Sequence, residues 1–297
     1  MKKEIFCGTY GKGEGNGIYR FFLEDGKLSE PVLFCRLDGT KYLTAEGNRI
    51  YTLFSNDEGA GVAVIDSEGN MISTLIHEEV SSCFIGYDKE LIRCANYHEG
   101  TFSFISCQND ELKLLHKTVI GKGAGCHQLI PFENGSIGAC LKRDEMYVFD
   151  DNYNIVRTIM FPEGSGPRHA VFSENGKYMF VAAELSDELF ALDREDFRII
   201  DKIKLGESGV PAAIRLQDGL IHVSVREADL ICKAEFSDDK LRIEDIHPCG
   251  GRHPRDMIIV EGHEICANLQ SDSVTCIRDG RVVSEIRIPQ AVSLTVR

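Results

Sequence analysis

The fold class this sequence predicts is all-β, a propeller of seven blades whose last blade joins the two ends of the chain. Two observations carry that reading. A short alternating segment recurs seven times at nearly constant spacing, and from the second copy onward a strand–turn–strand unit precedes it. The recurring segments are Gly17-Ile18-Tyr19-Arg20-Phe21-Phe22, Gly61-Val62-Ala63-Val64-Ile65-Asp66, Thr101-Phe102-Ser103-Phe104-Ile105-Ser106, Glu145-Met146-Tyr147-Val148-Phe149-Asp150, Glu188-Leu189-Phe190-Ala191-Leu192-Asp193, Asp229-Leu230-Ile231-Cys232-Lys233-Ala234 and Ser273-Val274-Thr275-Cys276-Ile277-Arg278. Their starts are 44, 40, 44, 43, 41 and 44 residues apart, close to the length of a four-stranded blade.

The preceding unit is clearest at Pro167–Glu184. There an alternating run, a Ser-Glu-Asn-Gly turn and a second apolar run read as strand, turn and strand. Cys126–Ile130 with Glu133-Asn134-Gly135, Pro211–Ile214 with Asp218-Gly219, and Pro254–Ile258 with Glu261-Gly262 repeat it. Thr40–Leu43 with Gly47-Asn48 and Ser82–Ile85 with Asp88-Lys89 are weaker copies. The first inner strand is therefore expected near Thr40, so the residues before it belong to the last blade. Pro289–Val296 supplies that blade's missing inner strand, paired with Ile5–Thr9, which closes the ring without a free sheet edge. No segment shows sustained helical periodicity with caps. A β-sandwich is the alternative, and seven copies at one period argue against it. We read one domain, residues 1–297.

The chain carries a net charge of -14, which repels nucleic acid and anionic lipid, so neither is an expected partner. An anionic substrate would need a basic pocket of opposite sign to the whole. The basic N-terminus, Met1–Cys7, lacks the apolar run of a signal peptide, and no stretch is long and apolar enough for a membrane helix. Eleven scattered cysteines without a Cys-x-x-Cys pair read as buried, reduced thiols, not as a disulfide framework or a zinc site. A cytoplasmic monomer or weak homodimer is expected, with no metal or cofactor. The runs Gly11–Gly15 and Gly121–Gly125 read as blade connections because neither leads into a helix, as a phosphate loop would.

In a propeller the first strand of each blade lines the central channel. Aligning the Glu-Asn-Gly turns places His127 with Arg168, and aligning the Pro-x strand start places Arg255 there too, with Ala212 in the blade between. A hairpin returns to the rim it left, so Glu184 should lie near Arg168, Asn268 near Arg255, and Asn96-Tyr97-His98 at the same mouth. Each residue also has a structural role open to it. His127 could be a hydrogen-bonded strand residue, Arg168 and Glu184 an anchoring ion pair, and the two asparagines partners of loop backbone. Their coincidence at one mouth points to a site. His127, Glu184 and Arg168 are the expected catalytic residues; Arg255, Asn96, Tyr97, His98 and Asn268 are the expected substrate contacts.

With Gly8-Thr9-Tyr10, Asn96-Tyr97-His98-Glu99-Gly100, Gly166-Pro167-Arg168-His169, Glu184-Leu185, Pro254-Arg255-Asp256 and Ser271-Asp272-Ser273-Val274 in this order, the whole chain resembles the lactonase family of seven-bladed propellers. That family includes bacterial 6-phosphogluconolactonases and the fungal carboxymuconate lactonising enzyme. The resemblance implies that His127, Arg168, Glu184 and Arg255 are functional. The chain departs from the family pattern at Gly125, where a second histidine usually stands, at Cys140–Asp144 and at Ala291.

The function expected is metal-independent hydrolysis of a lactone of an anionic sugar or organic acid. His127 would be the general base, working from an imidazole pKa near ~6.5. Arg168 and Arg255 would hold the anion and the developing oxyanion, and Glu184 would orient Arg168 or shuttle a proton. The alternatives are a non-catalytic ligand- or protein-binding propeller and a muconate-type lactonising cycloisomerase using the same residues.

Overall fold

The alternating segments form strands for a local reason: every second residue is apolar and packs against a neighbouring sheet. The computed structural model describes residues 2–10, 15–206 and 209–297. Their strands form seven antiparallel sheets, and the innermost strand of each touches that of the next until the ring closes. Blade 1 holds Leu43–Glu46, Arg49–Asn56, Gly59–Ile65 and Met71–Glu78. Its inner strand begins at Leu43, somewhat later than the expected Thr40. Blades 2 to 6 begin with the inner strands Phe84–Asp88, Cys126–Phe132, Pro167–Phe172, Pro211–Gln217 and Pro254–Val260.

Blade 7 is composite, as expected. Ala291–Val296 is its innermost strand and pairs antiparallel with Lys3–Thr9, Ile5 opposite Val296 and Cys7 opposite Leu294. Outside the strands the described residues form two single-turn 3-10 helices, Leu141–Arg143 and Leu269–Ser271, and no helix among them is long and apolar enough to cross a membrane. Gly11–Glu14 of the first glycine-rich run lie outside the described residues. The second run leads into the strand Cys126–Phe132, not into a helix.

The hairpin turns follow the expected chemistry. Asp218 and Gly219 both have positive φ (51° and 78°), as do Glu261 and Gly262 (51° and 73°), the conformation that matches the twist of the flanking strands. Apolar clusters lie between blades. Ile137, Met146 and Phe161 of blade 3 meet Met179 and Phe190 of blade 4, and Ile5 and Phe21 of blade 7 meet Ile258 and Val274 of blade 6. All eleven cysteines are free; ten are buried, and Cys83 is the exception.

Blades 5 and 6 are also joined by a buried ionic chain. Glu264 accepts from His222 Nδ1 at 2.6 Å and from His247 Nε2 at 2.9 Å, and His247 Nδ1 lies 2.9 Å from Asp245. Burial would raise the Glu264 pKa, but the two histidines outweigh it and hold the carboxyl down at about 2. Burial would lower the His247 pKa, yet Glu264 and Asp245 raise it above the ordinary value. The carboxylate therefore stabilises the fold above its unfolded pKa near ~4.5 and loses that contribution as pH falls towards 2. His247 stabilises below ~6.5 and loses its contribution as pH rises through its raised pKa. Glu264→Gln is expected to cost about 3 kcal/mol at pH 5.5 and less at pH 8.5, read from urea unfolding at the two pH values.

Candidate active site

The site arises from a repeated backbone irregularity. In blades 3, 4 and 6 the pairing of the inner strand skips one residue: His127, Arg168 and Arg255 respectively. In blade 5 it skips Ala212 and Ala213, and in blade 7 the shift at Gly8/Thr9 leaves out Val292. These are β-bulges, which re-aim a side chain out of the ladder. Two residues before each stands one with left-handed φ: Gly125, Gly166, Val210, His253 and Gln290. Gly39 repeats the feature two residues before Lys41 in blade 1, and in blade 2 Cys83 holds the same place, just before Phe84 pairs with Ala95. Seven blades thus contribute a ring of Lys41, Cys83, His127, Arg168, Ala212, Arg255 and Val292. At Gly125 a side chain would be crowded: besides its φ of 76°, a Cβ there would come 3.0 Å from the Lys142 nitrogen.

A second ring follows from the hairpin geometry. The residues just after the second strands are Tyr10, Tyr97, Glu184 and Arg226 in blades 7, 2, 4 and 5. The two rings enclose a cavity of about 200 Å³ at one mouth of the channel. It is lined by every member of the first ring except Ala212, by these four residues, and by Tyr42 and His98. Of the expected residues, His127, Arg168, Glu184, Arg255, Tyr97 and His98 meet here.

Asn96 and Asn268 do not, and both are corrected to structural residues. Asn96 is fully buried; its Nδ2 donates to the Val80 carbonyl at 2.6 Å, and its Oδ1 accepts from the backbone N–H of His98 and Glu99. Asn268 is equally buried and donates to Thr275 Oγ1 at 3.0 Å, packed against Gly251. Asn96 is claimed by the loop it begins, and Asn268 by the neighbouring strand Ser273–Arg278.

The charges at the mouth oppose those of the whole protein. Lys41, Arg168, Arg226 and Arg255 face one carboxylate, Glu184, in a chain of net charge -14. Glu184 Oε2 lies 2.9 Å from Arg168 Nε and 2.6 Å from Arg226 Nη2. Arg168 Nη1 also donates to the Ala212 carbonyl at 2.5 Å. Burial and the neighbouring Arg226 lower the Arg168 pKa to about 10, against the pull of Glu184; the group stays charged at neutral pH. Below the mouth, Asp256 binds Arg215 at 2.7 Å and accepts the Leu294 N–H, so the acidic residue of Pro254-Arg255-Asp256 fixes the inner strands of blades 6 and 7.

His127 Nδ1 lies 3.1 Å from His169 Nε2, and both rings are buried. Burial, followed by Arg168, His169, Arg255 and Arg226, holds the His127 pKa well below the ordinary imidazole value. The expected working pKa near ~6.5 is therefore corrected downward for the unliganded protein: the imidazole is neutral, always free to accept a proton, but a weaker base. Burial raises the Cys83 thiol although Lys41, Arg168 and Arg255 pull it down. Among the described residues no three His, Cys, Asp or Glu side chains converge as metal ligands would.

Residues 4–287 match the family model of the lactonase, 7-bladed β-propeller. The chain belongs to the lactonase family. Its curated relatives include the 6-phosphogluconolactonase of Bacillus subtilis, 28% identical over 99% of this chain and 97% of that protein. They also include an uncharacterized protein of Staphylococcus saprophyticus, 26% identical over 95% of this chain and 94% of its own length. Among solved structures, a protein from Lactobacillus plantarum superposes with a TM-score of 0.93 at 23% identity, both chains covered in full. The periplasmic gluconolactonase of Pseudomonas aeruginosa superposes with a TM-score of 0.87 at 18% identity, over 100% of this chain and 99% of its own. These structural likenesses establish the fold. The ring of lining residues belongs to the chain described here.

Proposed function

We propose that this member of the lactonase family hydrolyses the lactone ring of an anionic sugar acid or organic acid, with no metal taking part. The observation that carries this reading is the cluster of four cationic side chains, with the His127 imidazole among them, around a small cavity in an otherwise acidic protein. Such a pocket attracts a small anion against the global field, and guanidinium donors there stabilise an oxyanion more than water does.

In the reaction, a water attacks the lactone carbonyl and His127 Nε2 accepts its proton, the Nδ1–H pointing to His169. Arg168 holds the charge that develops on the carbonyl oxygen, and Glu184 keeps Arg168 and Arg226 in place. The carbon–oxygen bond of the ring then breaks, and the imidazolium returns the proton to the departing alkoxide. Arg255 binds the substrate's acidic group. The lactone of 6-phosphogluconate is the first substrate to try, because the Bacillus subtilis relative bears that name.

EDTA-treated protein offered 6-phosphogluconolactone, glucono-δ-lactone and galactono-lactone in a pH-stat is expected to accelerate acid release from at least one of them. Rates equal to buffer for all three would count against hydrolysis, and loss of activity on EDTA treatment would count against a metal-free reaction.

A further inference from the structure

The cations of the mouth fall into two groups that differ in what neutralises them. Arg168 and Arg226, on blades 4 and 5, share Glu184, and His127 stands beside them on blade 3. Lys41 and Arg255 stand on blades 1 and 6, either side of blade 7, and neither pairs with a carboxylate among the described residues. Lys41 Nζ has one polar partner, the Ser81 carbonyl at 3.0 Å. Its charge is largely buried, and burial together with the nearby Arg255 lowers its pKa against the pull of Cys83. Both cations lie against one aromatic ring of blade 7: Lys41 Nζ is 5.9 Å and Arg255 Cζ 5.3 Å from the centroid of Tyr10. That ring is 46% exposed and faces the cavity. A cation–π contact leaves the positive charge uncompensated and its N–H groups free for an acceptor.

We infer that Lys41 and Arg255, flanking Tyr10 across blades 6, 7 and 1, form a subsite for the substrate's permanent anionic group, remote from the bond that breaks, and that Lys41 determines this specificity. The arrangement divides the cavity. The carbonyl end lies at blades 3 to 5, where Glu184 offsets one of the two guanidinium charges and the remainder is poised for charge that appears only in the transition state. The permanent charge of the ligand lies on the far side of the ring, where positive charge is unmatched. Two cations unpaired among the described residues suit a phosphate dianion or a carboxylate on the distal carbon of a sugar acid. A ligand with one acidic group fills only one end.

This inference rests on the lactonase reading for its kinetics but can be tested without it. Calorimetric titration of the wild-type protein with 6-phosphogluconate, glucarate and gluconate reads the subsite directly. Either doubly acidic ligand is expected to bind about 10- to 100-fold more tightly than gluconate, the scale of one or two charge-assisted hydrogen bonds. A preference for 6-phosphogluconate over glucarate identifies phosphate as the group selected; the reverse identifies a carboxylate. Lys41→Gln should weaken the doubly acidic ligands by much more than gluconate, removing most of that preference, and Lys41→Arg should restore it. Because the preference is a ratio within one protein sample, partial misfolding of a variant does not change it.

In kinetics, Lys41→Gln should raise KM for a phosphorylated or dicarboxylic lactone by much more than KM for glucono-δ-lactone, with little change in kcat for either. Equal affinity of the wild type for all three acids, or a preference that survives in Lys41→Gln, would overturn the subsite. Absence of hydrolysis with the binding preference intact would overturn the reaction and leave the subsite standing.

Discussion

Replacing His127 by alanine is expected to lower kcat by about 10²- to 10⁴-fold, the range over which a positioned acid–base group contributes. The imidazole is 6% exposed, lines the cavity and has its Nδ1 committed to His169 at 3.1 Å. Only Nε2 is left to take a proton from water. A loss smaller than tenfold would assign the proton transfer elsewhere.

The pH profile adds an independent reading. In the free protein, burial and the surrounding guanidiniums hold the His127 pKa well below its ordinary value. The acidic limb of kcat/KM should therefore lie well below ~6.5. A bound anion cancels part of the guanidinium charge, so the acidic limb of kcat should stand at higher pH than that of kcat/KM. An acidic limb of kcat/KM at or above ~6.5 would mean that another group titrates.

Arg168→Met is expected to reduce kcat/KM by about 10²- to 10³-fold, the cost of removing one oxyanion donor from a preorganised site. The side chain is 2% exposed, paired with Glu184 at 2.9 Å and anchored on the Ala212 carbonyl. The substitution leaves that carbonyl without its donor, while Glu184 keeps Arg226 at 2.6 Å. Stability should fall by about 1–3 kcal/mol, visible in urea unfolding and too little to abolish the fold. Arg168→Lys should recover little activity, because an ammonium keeps the charge but not the fork that spans Glu184 and the Ala212 carbonyl. Full activity in either variant would place the oxyanion elsewhere.

The blade pattern was legible because it depends on periodicity and turn residues, which the sequence states openly. The ring was legible where the inner strand opens with a clear marker: Pro167-Arg168 and Pro254-Arg255, and Cys126-His127 through its matching Glu-Asn-Gly turn. Lys41 and Cys83 hold the same ring position but sit in copies without proline, so nothing drew them into the alignment. A left-handed residue two positions upstream marks the ring position in blade 1 and blades 3 to 7, though not at Cys83 in blade 2, and it is glycine at only Gly39, Gly125 and Gly166.

Arg226 was within reach. The hairpin rule that located Glu184 also points to the residue after Leu220–Val225, but Ala212 at the start of that blade made it look chemically empty. Asn96 and Asn268 lie outside the cavity, and position alone does not say whether an amide turns to the channel or to the backbone and strands around it. The contact between His127 and His169 depends on two side-chain orientations across neighbouring blades and has no counterpart in the sequence pattern.

The most direct test is a crystal structure of the protein with 6-phosphogluconate. The two acidic groups are expected at opposite sides of one mouth, the carboxylate against Arg168 beside His127 and the phosphate against Lys41 and Arg255. A ligand bound on the outer wall or at the other end of the channel, touching none of these cations, would contradict the site.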